Sequence, residues 1–88
     1  MNRNVYVANL PPEAGDPELR NLFSKAGSVM SVKILKDRQT GQQRGVAFVE
    51  MSTRWEARRA ASMFNKQDFM GRLLLVKEAK ENRRAGRR

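Results

Sequence analysis

The chain has 88 residues, with 18 lysines and arginines against 9 aspartates and glutamates, and neither cysteine nor histidine. Its length predicts one domain near the lower limit for folding on a single core. Missing cysteines exclude disulfides and thiolate metal sites, and missing histidines remove the commonest general base, so neither an enzyme nor a cofactor is expected.

Residues 5–10, Val5-Tyr6-Val7-Ala8-Asn9-Leu10, alternate as a strand, with Tyr6 on the face opposite Val5 and Val7. A loop over residues 11–15 follows. Asp16, Pro17 and Glu18 then predict a helix start: an N-cap, a proline at the first helical position and an acid in the first turn. Leu19, Leu22, Phe23 and Ala26 form one apolar stripe, and Gly27 is suited to the left-handed conformation that ends a helix.

Residues 28–36 read as a second strand, with Val32 and Ile34 on one face and Ser31, Lys33 and Leu35 on the other. A polar turn over residues 37–43 leads into a third strand, residues 44–51. Thr53 and Glu56 have capping-box spacing, and Ala57, Ala60, Ala61 and Phe64 repeat the stripe of the first helix with smaller residues. After a loop over residues 65–71, residues 72–77 read as a fourth strand. The domain is expected to end near Ala79, leaving residues 80–88 as a basic, flexible tail with no apolar stripe to hold it.

The order β-α-β-β-α-β predicts the split β-α-β, ferredoxin-like α+β sandwich: a four-stranded antiparallel sheet with two helices on one face. In it the first and third strands lie adjacent in the middle. Strand parity turns Val5, Val7, Val32, Ile34, Gly45, Ala47, Val49, Met51, Leu74 and Val76 toward the helices. Tyr6, Lys33, Leu35, Val46, Phe48, Glu50, Leu75 and Lys77 face away, on an open surface part aromatic and part charged.

The third strand, Arg44-Gly45-Val46-Ala47-Phe48-Val49-Glu50-Met51, resembles the octamer of the RNA recognition motif family at Arg44, Gly45, Ala47, Phe48 and Val49, and departs from it at Val46 and Met51. Residues 5–10 resemble the family's hexamer throughout, and Asp37, Thr40 and Gly41 its loop before the octamer. The likeness runs from about Asn4 to Ala79, and small size with a short basic tail resembles the stand-alone single-motif proteins of bacteria and organelles.

The resemblance implies that Tyr6 and Phe48 each stack a base and that Arg44 meets the sugar-phosphate backbone. The residues support this independently, since a sheet can present aromatics as a platform for unpaired bases. Val46, standing where the family has an aromatic, offers a smaller contact and implies lower affinity; Met51 points inward and concerns the core. Lys33, Lys77, Leu35, Leu75, Glu50 and Asn4 complete the expected RNA-binding set, with Arg83 and Arg84 of the tail adding electrostatic grip. The expected ligand is single-stranded RNA, about two to four nucleotides, with single-stranded DNA as a further ligand and a monomeric protein.

Other readings remain beside this one. Tyr6 and Phe48 could be ordinary half-buried strand aromatics, and the tail a solubilising end. The same fold also serves as a protein-interaction module; members that took this route resemble one another in an Arg-x-Phe after the second helix, and Arg72-Leu73-Leu74 lacks its phenylalanine. A membrane-surface role lacks an apolar anchor. An acylphosphatase-like hydrolase would want a phosphate-cradling glycine cluster and an arginine in the first loop, and neither is there. Trp55 is expected to pack locally beneath Arg58 and Arg59, and Phe69 and Met70 to fold onto the hydrophobic rim without function. The longest aliphatic run, residues 73–76, is too short for a bilayer and nothing predicts a signal peptide. The expected compartment is the cytoplasm or, in a eukaryote, the nucleus or an organelle.

Overall fold

Alternation and helical stripes become regular elements in the order β1 (Asn4–Ala8), α1 (Asp16–Phe23), β2 (Val29–Lys36), β3 (Gln43–Met51), α2 (Arg54–Phe64), β4 (Asp68–Phe69), β5 (Arg72–Leu73) and β6 (Leu75–Glu78). The structure, a computed structural model, describes residues 3–36, 39–41 and 43–79, with the backbone alone for Gln43 and Arg44. Asp37, Arg38 and Gln42 of the polar turn, and the tail with Arg83 and Arg84, lie outside the described residues.

The main sheet runs β2-β3-β1-β6, each neighbouring pair antiparallel, so β1 and β3 take the middle as the sequence predicts. Val5, Val7, Ala47, Val49, Met51, Leu74 and Val76 are buried in one cluster with Leu19, Leu22 and Phe23 of α1 and Ala57, Ala60 and Phe64 of α2. Both helices therefore cover one face, and the fold is the ferredoxin-like α+β sandwich. The rings of Phe23 and Phe64 meet edge to face at 4.9 Å between centroids, joining the two helical stripes across the core. Small alanines on α2 leave room for this contact.

Several local details differ from the sequence reading. The N-cap of α1 is Gly15, one residue before Asp16: the Gly15 N–H donates to Glu18 Oε1 at 2.9 Å and Leu19 N–H to Gly15 O at 3.1 Å. Asp16 spends its carboxylate on Arg20, 2.7 Å away, instead. The helix also ends at Phe23, and short turns through Ser24 to Ala26 precede Gly27.

Thr53 caps α2 as predicted, accepting from Glu56 N–H at 3.2 Å. The reciprocal half of the capping box is missing because the Glu56 carboxylate accepts from Ser52 Oγ and from the Ser28 N–H, 3.2 Å away. These bonds tie the start of α2 to the entry of β2. Gly27 abuts them so closely that an added Cβ would lie 2.4 Å from Glu56 Cδ.

The predicted fourth strand is divided, with Arg72 and Leu73 pairing back onto Asp68 and Phe69 as a hairpin around Met70 and Gly71, both at positive φ. Leu74, fully buried, is the pivot between hairpin and main sheet. Two register shifts interrupt the β2·β3 ladder, one between Val29 and Ser31 and one between Ile34 and Lys36. The first inserts Met30, which stands 55% exposed. Opposite the second lies Gly45 at φ +80, a conformation that favours glycine and marks a bulge. The strict alternation that predicts Gly45 on the helix-facing side stops at this bulge.

Candidate nucleic-acid interface

Ladder register brings four of the expected site residues into one row. Lys33 on β2 pairs with Phe48 on β3, Phe48 with Tyr6 on β1, and Tyr6 with Lys77 on β6. Because the sheet order is β2-β3-β1-β6, this row crosses the open face from edge to edge, roughly 14 Å at the usual strand spacing. Two aromatics occupy its centre and a lysine each end.

Tyr6 and Phe48 are both half-buried, with ring centroids 5.6 Å apart and planes tilted by 57°. Each ring props its neighbour while the pair keeps contact with solvent. Lys77 Nζ lies over the Tyr6 ring, 5.5 Å from its centroid. An open hollow of about 360 Å³ lies against Tyr6, Phe48, Lys77, Glu78 and Ala79. Its apolar rings and ammonium group match a flat base joined to a phosphate.

On the row toward the start of β1, Asn4 pairs with Glu50. The Glu50 carboxylate accepts from Arg3 and from Ser31 Oγ at 3.2 Å. Arg3 escaped the sequence reading because it precedes the strand; the backbone bond from Met51 N–H to Arg3 O is what brings it to Glu50. This exposed ion pair contributes only about 0.2–1 kcal/mol, yet it offsets a negative charge on a surface that otherwise suits an anion.

On the opposite side of the aromatic row, Val46 pairs with Ala8 and Ala8 with Leu75. Val46 and Leu35 are half-buried and Leu75 is 48% exposed, so an apolar strip continues the platform. The backbone of Arg44 belongs to β3, and its side chain lies outside the described atoms. Trp55, away from this face, has Arg54 over its ring at 4.5 Å and Arg58 at 5.8 Å, so the expected Arg58 contact forms and Arg54 takes the place expected for Arg59. Arg58 reaches on to Glu78, 3.5 Å away. Phe69 packs against the core as expected, whereas Met70 beside it is 49% exposed.

Among the described residues no cluster of three or more carboxylates could hold a metal ion, and no helix is long and apolar enough to cross a membrane. A two-layer α+β sandwich whose open sheet carries paired aromatics flanked by lysines has the architecture of a class of RNA-binding domains. The chain belongs to the RNA recognition motif family, whose model matches residues 5–75.

The chain is 43% identical over 75 residues to a 31 kDa chloroplastic ribonucleoprotein of Nicotiana sylvestris, an alignment covering 85% of the chain and 24% of that protein. It thus spans about a quarter of this relative's length. Among solved structures it is similar to RNA binding protein PG1, with a TM-score of 0.84, 43% identity, and 90% and 95% of the two chains covered. A Sxl-lethal protein/RNA complex matches with a TM-score of 0.81 and 42% identity over 88% of this chain and 47% of that one.

Proposed function

We propose that this chain binds single-stranded RNA across the open face of its sheet, with Tyr6 and Phe48 each stacking a base. Lys33, Lys77 and Arg44 meet phosphates, and Val46, Leu35 and Leu75 give apolar contact to sugars and bases. The observation that carries this reading is the in-register row Lys33, Phe48, Tyr6, Lys77. Stacking contributes about 1–3 kcal/mol per base and tolerates any base, so two rings supply much of the affinity and little sequence selectivity.

Glu50 and Asn4, at the next row, accept and donate hydrogen bonds to base edges. Arg83 and Arg84 add a salt-sensitive, sequence-independent grip. Single-stranded DNA binds by the same contacts, more weakly for want of the 2′-hydroxyl. The proposed binding unit is residues 1–79 acting as a monomer; the bond from Ala79 N–H to Asn4 O, 2.9 Å, ties the chain to the sheet as far as Ala79. No catalysis is involved. The proposed compartment is the cytoplasm or, in a eukaryote, the nucleus or an organelle; the chloroplastic relative accords with the last.

Amide chemical-shift mapping with a degenerate single-stranded RNA tests the face used. Shifts concentrated on β1, β3 and β6 around Tyr6, Phe48 and Lys77 support the reading. Shifts confined to α2 around Trp55 contradict it.

A further inference from the structure

A second hollow, also about 360 Å³, lies on the other side of Tyr6 and Lys77, which form the wall common to both. It is lined by Ala8, Leu75 and the Val76 position of β6 and by Asn65 and Lys66, in the turn that follows α2. Where the first hollow includes Glu78, this one has two lysines and no carboxylate. The chemistry it presents is apolar surface from Ala8 and Leu75 together with two cations.

Lys66 occupies a position where lysine is a costly choice. Its φ is +65, in the left-handed region that glycine fills without strain. The backbone there is pinned on both sides: Lys66 N–H donates to Leu74 O at 2.7 Å, Gln67 N–H to Phe64 O at 3.0 Å, and Leu74 N–H to Gln67 O at 2.9 Å. The side chain thus starts from a fixed point beside the edge strand. Neighbouring Asn65 uses its Oδ1 to accept from Val76 N–H at 3.0 Å. That bond fixes the amide plane, and the same amide carries two N–H donors, the complement of a base carbonyl oxygen.

We infer that this second hollow binds one further unpaired nucleotide of the RNA strand, extending the path over the β6 edge to Lys66. The inference rests on the stacking reading proposed above. The base lies on Ala8 and Leu75 with a carbonyl oxygen facing the Asn65 amide, and the phosphate sits between Lys77 and Lys66. Continuity through Tyr6 and Lys77 selects a nucleotide, because a strand lying on the aromatic pair reaches this hollow without leaving the protein. An acidic peptide would match the two lysines but not the apolar surface of Ala8 and Leu75 beside the Tyr6 ring.

The test compares degenerate single-stranded RNAs of about three and about five nucleotides, by fluorescence anisotropy, on the intact chain and on two variants. Lys66→Gly removes the cation and relaxes the left-handed backbone, so its melting temperature equals or exceeds that of the parent. Asn65→Asp keeps the acceptor for Val76 N–H and loses the donors. The parent protein is expected to bind the longer RNA about five-fold more tightly than the shorter. Both variants lose most of that gain with short-RNA affinity unchanged, and Lys66→Gly lowers the salt slope on the longer RNA by about 0.7. If the length gain survives in both variants, the strand leaves by another edge and the inference is overturned while the stacking reading stands. If the parent binds neither RNA, the stacking reading fails and this site falls with it.

Discussion

The ammonium of Lys77 lies over the ring of Tyr6, 5.5 Å from its centroid, on a surface that a stacked base would use. The contact contributes about 0.5–1 kcal/mol at an exposed site. A stacked base would recover more than this, about 1–3 kcal/mol, so RNA is expected to displace the lysine from the ring and leave it beside the phosphate. Proton resonances of the Lys77 side chain, shielded by the ring in the free protein, are expected to move to ordinary lysine positions as RNA is added. Lys77→Gln is expected to lower the log–log salt slope of binding by about 0.7, the share of one single-strand phosphate. An unchanged slope would mean that Lys77 covers the ring and nothing more.

Val46 stands opposite Ala8, one row from the Tyr6 and Phe48 pair. A phenylalanine there would extend the aromatic platform over a small neighbour with no change in the core. Val46→Phe is expected to tighten RNA binding by about 1 kcal/mol, close to five-fold, with an unchanged circular dichroism spectrum. Equal or weaker affinity would show that nucleotides do not cross that part of β3.

Gly45 holds the bulge at φ +80, and its absent Cβ would find Leu10 O no nearer than 3.6 Å. Space is therefore available and backbone conformation alone decides the outcome. Gly45→Ala is expected to destabilise the fold by about 1–2 kcal/mol, read as a lower urea midpoint at constant m-value. A neutral result would place the strain elsewhere.

These bulges mark where the sequence could be read and where it could not. Period-two alternation in residues 4–8 and 46–51 is uninterrupted, so the open-face positions of Tyr6, Val46, Phe48 and Glu50 followed from counting. Alternation cannot announce an inserted residue, and Met30 and Gly45 each break the ladder to β2. Capping was legible as a neighbourhood and not as a residue: Asp16 is the better cap by type, but its pairing with Arg20 and the reach of Glu18 back to Gly15 move the cap by one. The hairpin around Met70 and Gly71 went unread because its strands are two residues each. Arg3 and Lys66 gain their places through backbone bonds to distant segments, which local pattern does not contain.

Glu56 is expected to make the joint between α2 and β2 acid-sensitive. The hydrogen bond from Ser52 Oγ, with further bonds from the Ser28 and Ser52 backbone and the nearby Arg59 charge, holds its pKa below the ordinary glutamate value against the effect of burial. A carboxylate with a lowered folded-state pKa contributes stability that is present above its unfolded pKa and lost as pH falls through the folded one. The stability difference between the parent and Glu56→Gln is therefore expected to be constant near neutrality and to shrink below about pH 4.3. Urea titrations across that range check it, and a difference independent of pH would remove Glu56 from the account.

The most direct measurement of the central claim is fluorescence anisotropy of a labelled degenerate single-stranded RNA at near-physiological salt, titrated with the intact chain and with a Tyr6→Ala, Phe48→Ala double variant of confirmed fold. Losing two stacked bases removes about 2–6 kcal/mol, so the double variant is expected to lose at least some thirty-fold in affinity. Equal binding by the two proteins would contradict the account, since RNA would then be held without the aromatic pair.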